Sequence, residues 1–321
     1  MKCNFSLKQA VSVGVLSMGL LFLPQTSEAA YTQEDLNNEM TMAVSWMQNA
    51  AEYRGLCYQA YNTALAQVKR AAAAHKAGQK PLAIVLDADE TVLDNSAYQA
   101  GRIGTNNDYT TKEWTKWVNA AEALAMPGAT DYLQAVDQLG VSIFYVTNRR
   151  MDTQYDGTVK NMKELGFPQV DKAHLLLKTD SGNKQARFDA VAAKYDVVVY
   201  MGDNAGDLPI GTYGKKQAVR NAIVDANKAK FGVQYILLPN PVYGDWEPGL
   251  YNELDGNYWA LTPKQKSEVR NKTMRKWLSK EAREEKAKGH KTLVQQIDDE
   301  NAAIEKKYGL PAGAIHDDIR S

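Results

Sequence analysis

Cysteine is nearly absent from this 321-residue chain, with Cys3 and Cys57 the whole complement. Cys3 falls inside an N-terminal stretch that reads as a removable leader, so the expected mature chain carries one thiol and no internal disulfide. Folding then rests on packing, to which a bound metal would add. A net field is also missing, because 38 Lys and Arg balance 38 Asp and Glu. That balance argues against a nucleic-acid polymer or an anionic membrane as partner, so any anion must be captured locally. Histidine is scarce too, at four residues, and none sits in a motif; a lone His is more often surface or packing than ligand. There is no internal repeat and no low-complexity tract beyond the alanine run 71–74.

Long hydrophobic runs are equally lacking. The most apolar stretch, Ala10 to Leu23, is preceded by Lys2 and Lys8 and followed by Pro24 and the small residues Ser27, Ala29 and Ala30. It is too short for a membrane span and has the pattern of a secretory signal peptide cleaved after Ala29 or Ala30. The mature chain would begin near Tyr31 and be periplasmic or secreted. No cysteine stands near the cleavage point to accept a lipid, so no stable membrane insertion is expected after cleavage.

What is present is ordinary globular material, 24% charged and 44% hydrophobic. Residues 33–74 carry apolar groups at helical spacing, predicting one or two amphipathic helices. Five short apolar runs follow, at 82–86, 141–146, 174–177, 197–201 and 234–238, alternating with helical periodicity at 131–139, 155–165 and 183–194. This rhythm predicts an α/β fold, a Rossmann-like parallel sheet with helices on both faces. The segment 94–126, rich in Trp, Tyr, Asn and Thr, interrupts it and predicts a small cap. From 278 to 321 the chain becomes strongly charged and reads as a solvated or interface helical extension. The expected organisation is a leader at 1–30, a catalytic domain at 31–277 and that extension.

The chemistry lies where the strands stop. The first run ends in Leu86-Asp87-Ala88-Asp89-Glu90-Thr91, the second in Thr147-Asn148-Arg149, and the fourth in Gly202-Asp203-Asn204-Ala205-Gly206-Asp207. Lys184 opens a predicted helix between them. In an open parallel sheet these groups gather outside the carboxyl ends of the strands. Four acids, a hydroxyl and an ammonium on one edge suit phosphoryl transfer, with oxygen-only acids for Mg²⁺ and cationic and neutral donors for the phosphoryl oxygens. Each signal has a plainer reading. Lys178 is a nearby rival to Lys184, Asp207 has the alternative of a helix N-cap before Leu208-Pro209, and Glu90 is expected to face away. Tyr98, Trp114, Trp117 and Tyr243 offer faces on which a base would stack. Trp114 and Trp117, three apart on a predicted helix, are equally readable as packing.

The run from Val85 to Tyr98 resembles the first signature of class C acid phosphatases, in the haloacid dehalogenase-like (HAD) superfamily and typified by the lipoprotein e family of 5'-nucleotidases. Gly202-Asp203-Asn204 with Asp207 resembles the second signature. The similarity extends from about residue 51 to near Trp277. The resemblance implies Asp87 as nucleophile, Asp89 as general acid and then base, and Thr147 and Lys184 as holders of the phosphoryl group. It further implies Mg²⁺ bound by Asp87, the Asp89 carbonyl and Asp203, with Asp207 orienting metal-bound water or Lys184. Asn148, Arg149, Tyr98, Trp114 and Tyr243 are candidate substrate contacts, Trp114 and Tyr243 at family-like base-contact positions. Ala205 and Leu208 depart from the family pattern, as do the missing lipid-accepting cysteine and the added tail.

The expected activity is a secreted, Mg²⁺-dependent hydrolysis of small phosphomonoesters, nucleoside 5'-monophosphates among them, through an aspartyl-phosphate. A haloacid dehalogenase has no need of Asp89 or of Mg²⁺. Transfer to an acceptor alcohol through the same intermediate, and a non-catalytic periplasmic binding protein that assembles through the charged tail, are the remaining alternatives. Homo-oligomerisation stays open.

Overall fold

The structure, a computed structural model, describes residues 31–252, 258–287 and a few positions between 302 and 309. The expected leader at 1–30 and most of the expected extension lie outside the described residues. Tyr31–Lys276 form one compact unit.

Three helices open it: α1 (Gln33–Asn38), α2 (Thr41–Asn49) and α3 (Ala51–Ala74). Thr32 starts α1 with a capping box, its hydroxyl accepting from the Asp35 N–H while the Asp35 carboxylate accepts from the Thr32 N–H. Ala50, extended at ψ 132°, ends α2 and begins α3, so the predicted one or two helices are three. Along α3, Tyr53, Cys57, Ala60, Tyr61, Ala64 and Val68 form a buried stripe at helical spacing.

The sheet begins with β1 (Leu82–Leu86), whose five residues are all buried. Two short strands, β2 (Leu93–Asp94) and β3 (Leu124–Ala125), pair antiparallel and bracket the expected cap segment with α4 (Ser96–Ala100) and α5 (Thr111–Ala120) between them. The chain then alternates through α6 (Ala129–Gln138), β4 (Ser142–Arg150), α7 (Met151–Glu164), β5 (Leu175–Lys178), α8 (Gln185–Ala192) and β6 (Asp196–Gly202). It continues through α9 (Gln217–Ala226), β7 (Tyr235–Leu237), α10 (Trp246–Asn252) and α11 (Pro263–Thr273). The strand order β5-β4-β1-β6-β7 is parallel throughout. This is the α/β architecture that the alternation predicted.

β1 occupies the centre because it has no polar face to show water. Ile84 and Leu86 join a core with α3, α6 and α7, while Ala83 and Val85 point the other way, toward Phe188 and Val191 of α8. Each large apolar side chain buried there contributes about 1.5–3 kcal/mol. The chain leaves β1 for β4 on one side and returns to β6 on the other, so the order reverses at β1. That reversal is where open α/β sheets bind ligands. In the C-terminal extension, Lys280–Ala287 form a charged helix, α12. Among the described residues, no helix is long and apolar enough to cross a membrane.

The cap segment docks through a glycine. A Cβ at Gly157 of α7 would lie 2.6 Å from both the Asn119 Cα and the Val118 carbonyl oxygen, where α5 crosses. Backbone cannot move aside as a side chain tip can. Gly157→Ala is therefore expected to destabilise the fold by about 1–3 kcal/mol through overpacking, read as a lower denaturant midpoint. An unchanged midpoint would show that α5 and α7 part at no cost.

Candidate active site

Asp87 follows directly on β1, and its N–H donates to the Met201 carbonyl at 3.0 Å, extending the ladder one residue past the strand. Across that ladder β6 ends at Gly202, and Asp203 follows. The chain then turns through a short 3-10 segment, Ala205–Asp207, which folds Asp207 back beside the strand end. Only glycine permits this return, since a Cβ at position 202 would lie 2.2 Å from the Asp207 Cβ. A reciprocal cap holds the turn: the Asn204 N–H donates to Asp207 Oδ2 at 3.0 Å, and the Asn204 side chain accepts from the Gly206 N–H at 3.1 Å. The alternative of Asp207 as an N-cap thus gives way to Asn204 as the cap, with Asp207 as its partner.

Asp87, Asp203 and Asp207 bring carboxylate oxygens within 4.8 Å of one another. Lys184, the residue before α8, reaches in from the other side. Its Nζ donates to Asp87 Oδ1 at 2.5 Å and to Asp207 Oδ1 at 2.6 Å, with its side chain only 4% exposed. Among the described residues, Lys178 makes no such approach. Asn240 donates to Asp203 Oδ2 at 2.8 Å and fixes that carboxylate.

Three clustered carboxylates, Asp87 and Asp207 buried and Asp203 half-buried, against one ammonium leave two negative charges uncompensated. Burial pushes Asp87 up to about 7, helped by Asp207 and Asp89 and opposed by Lys184. Burial likewise drives Asp203 well above the usual carboxylate range, with Asp207 and Asp87 adding to it. Burial alone would depress Lys184, but the facing Asp207 and Asp87 outweigh it and hold the ammonium charged. Asp87 Oδ2 and Asp203 Oδ1 accept no hydrogen bond from the described residues, whereas both Asp207 oxygens are engaged. An all-oxygen donor set with an unmet charge of two fits a hard divalent cation, with Asp87 and Asp203 the freer ligands and Asp207 the holder of Lys184.

Asp89 lies beside this cluster and meets Arg149, not the cation ligands. The Arg149 guanidinium is fully buried and donates to Asp89 Oδ1 from Nη2 at 2.7 Å and from Nε at 2.9 Å. Arg149, a candidate substrate contact, is among the residues lining the cavity over this edge, while most of its donors are turned onto the protein. Thr147 is fully enclosed and absent from the cavity wall, its hydroxyl accepting from the Arg149 N–H at 3.1 Å. Asn148 does reach the cavity, held by its Nδ2 donating to the Gly182 carbonyl at 2.9 Å and by Arg187 donating to its Oδ1 at 2.7 Å.

A cavity of about 430 Å³ opens over Asp87, Asp89, Lys184 and Asp203 and extends toward α1 and α11, a size that accepts small organic ligands. Trp114 and Tyr243 line it. Tyr98 does not: its ring packs edge-on against Trp114 at 5.1 Å and buttresses that wall. Trp117 also stays behind the wall, its Nε1 donating to Asn95 Oδ1 at 2.8 Å. Glu90 is off the cavity wall as expected, yet it is no surface residue. It is fully buried at a left-handed φ of 51°, accepts from the Asn95 N–H at 2.8 Å and accepts a close hydrogen bond from the Tyr243 hydroxyl. Sequence reasoning missed Asn95, Asn240 and Asp245. Asn95 stood inside the quoted signature and Asn240 between two prolines, but neither carries a charge to draw attention. Asp245 lines the cavity 3.6 Å from Arg220, and burial raises its carboxyl.

The profile of the family described as HAD superfamily, subfamily IIIB (Acid phosphatase), matches residues 10–246. The class C acid phosphatase from Bacillus anthracis is 39% identical with a TM-score of 0.71, the match covering 76% of this chain and 99% of that one. The same enzyme with tungstate bound gives 38% identity and a TM-score of 0.70 over the same shares. The stem 28 kDa glycoprotein of Glycine max is 25% identical over 166 residues, half of this chain and 58% of that protein's length. With an acidic, lysine-braced strand edge on a parallel sheet and a matching profile over most of its length, the chain belongs to the acid phosphatases of HAD subfamily IIIB, phosphoric monoester hydrolases.

Proposed function

We propose that this chain is an exported, Mg²⁺-dependent acid phosphatase that hydrolyses small phosphomonoesters, nucleoside 5'-monophosphates among them, through an aspartyl-phosphate on Asp87. The observation that carries it is the convergence of Asp87, Lys184 and Asp203 at one strand edge under a cavity that also holds Asp89. Tungstate, an oxyanion shaped like phosphate, is bound in a solved relative, and that supports an anion at this edge.

Asp87 keeps one oxygen on Lys184 and has the other free to attack phosphorus in line. As the new P–O bond forms and the ester P–O bond breaks, Asp89 gives its proton to the departing alkoxide. Asp89 then takes a proton from water, whose oxygen displaces Asp87 and releases inorganic phosphate. Lys184, pinned by Asp207, stands where it neutralises phosphoryl oxygens as charge develops. A cation on Asp87, Asp203 and the Asp89 carbonyl would supply Lewis-acid charge to the same oxygens. The Trp114 and Tyr243 faces offer a nucleobase a wall, and the leader pattern at 1–30 supports export.

Asp87→Asn is expected to cut turnover of p-nitrophenyl phosphate by roughly 10⁴-fold or more while far-UV circular dichroism stays unchanged; wild-type rates would remove the nucleophile assignment. Chelation should abolish turnover and Mg²⁺ restore it, and a nucleotide panel on the restored enzyme ranks the substrates. An acidic optimum is expected, since Asp89 serves the leaving group only as the carboxylic acid. A profile still climbing above neutral pH would contradict that step.

Metal and pH are also linked through stability. Unfolded, these carboxylates ionise near 4. Folded and metal-free, Asp87 and Asp203 hold their protons to higher pH, Asp87 to about 7. The apo protein should therefore lose stability as pH rises from about 4 through about 7. Mg²⁺ at a hundredfold excess over its Kd should return about 2.7 kcal/mol. The rise in Tm with Mg²⁺ should be larger at pH 7.5 than at pH 5, and a pH-independent rise would exclude these carboxylates as the ligands.

A further inference from the structure

The Arg149 side chain presents a problem for any substrate-binding role. Of its five N–H groups, four are spent on protein. Nε and Nη2 donate to Asp89, Nη2 also donates to Asn95 Oδ1 at 3.3 Å, and Nη1 donates to Thr158 Oγ1 at 3.2 Å. The Trp114 ring lies 5.8 Å from the guanidinium carbon, and none of the side chain is exposed. Little is left to offer a ligand.

The two oxygens of Asp89 are treated unequally. Oδ1 accepts three donors, Arg149 Nη2 at 2.7 Å, Arg149 Nε at 2.9 Å and Asn95 Nδ2 at 2.9 Å. Oδ2 accepts one distant donor, Arg149 Nε at 3.3 Å. Asn95 is itself immobilised, fully buried, with Trp117 Nε1 on its Oδ1. A planar fork on one oxygen, reinforced by a buried amide, fixes both the position and the rotation of the carboxyl group.

We infer that Arg149, with Asn95, is a positioning residue for proton transfer: it clamps Asp89 by Oδ1 and presents Oδ2 as the oxygen that exchanges a proton with the substrate. This rests on the phosphatase reading above. In the first half-reaction the proton on Oδ2 passes to the leaving oxygen as the ester P–O bond breaks. In the second, a proton of the attacking water returns to Oδ2 as the bond between phosphorus and Asp87 breaks. Arg149 touches neither reacting atom and acts through Asp89 alone.

The discriminating measurement is kcat/KM, which reports the first half-reaction, for two substrates with different leaving groups. p-Nitrophenolate departs with little need of a proton, while the alkoxide of a nucleoside 5'-monophosphate needs one. Arg149→Met should lower kcat/KM for the nucleotide on the order of 10²-fold and for p-nitrophenyl phosphate less than about 10-fold. Arg149→Lys, which keeps the charge but not the fork, should show the same split with smaller losses, and serves if Arg149→Met fails to fold. Arg149→Met added to Asp89→Asn should cost the nucleotide reaction nothing further, because the residue Arg149 works through is already gone. Equal losses on both substrates, a rise in KM alone, or a multiplicative loss in the double variant would each overturn the inference. Absence of turnover by wild-type protein with Mg²⁺ on either substrate would instead defeat the phosphatase reading itself.

Discussion

The structure turns on an electrostatic imbalance at the end of β1. Three carboxylates, two buried and one half-buried, stand within a few ångströms of each other with a single ammonium beside them. Burying unpaired charge is costly, and neutralisation by protons or by a cation is the usual relief. The upward pull on Asp87 and Asp203 is that relief in its protonic form. A dication would achieve the same result with Asp87 left ionised, the form that the proposed attack on phosphorus needs. One imbalance thus fits both the proposed cation and the proposed nucleophile.

Holding such a cluster together demands rigid surroundings, and the chain supplies them with short polar devices. Gly202 lets Asp207 return to the strand edge, and the cap on Asn204 stops it from turning away. Asn240 orients Asp203 from the loop after β7, and Arg187 joins the end of β4 to α8 by donating to the Thr147 carbonyl at 2.6 Å. Each contact fixes segments that the sheet has already brought near. The sheet therefore provides proximity, and these side chains provide the last ångström of order.

Which of these features can be read without coordinates follows from their range. The five apolar strands, and Asp87, Lys184 and Asp203 at their ends, are legible because burial of β1 and the reversal of strand order are local and topological facts. The pairing of Arg149 with Asp89 spans 60 residues and depends on how the β4 end twists against the first loop, which no periodicity encodes. Tyr98 was misplaced for a similar reason. Residue type marks it as a stacking face, but the path of the cap puts Trp114 in front of it. Glu90 was expected to face away from the site, yet its left-handed backbone turns it into a buried knot with Asn95 and Tyr243. The two breaks in the N-terminal helices, at 39–40 and at Ala50, escape a periodicity reading because the apolar stripe continues through them.

The polar network around Asp89 also changes the meaning of the cap. Trp117 of α5 donates to Asn95, Asn95 donates to Asp89 and Glu90, and Tyr243 from the loop after β7 donates to Glu90. Arg149 closes the circle through Thr158 of α7. A satisfied buried network of this kind rigidifies what it joins, so the cap is fastened to Asp89 and not merely laid over the cavity. The metal cluster hangs on a different set of contacts, through Lys184, Asn204 and Asn240. The two sets of contacts meet at the loop from Asp87 to Asp89 and again after β7, where the Tyr243 N–H donates to Asn240 Oδ1 at 3.3 Å. A change at Trp114, whose ring lies against the Arg149 guanidinium, would therefore disturb the proposed substrate wall and the Arg149–Asp89 pair together, whereas a change at Tyr243 would also reach Asp203 through Asn240.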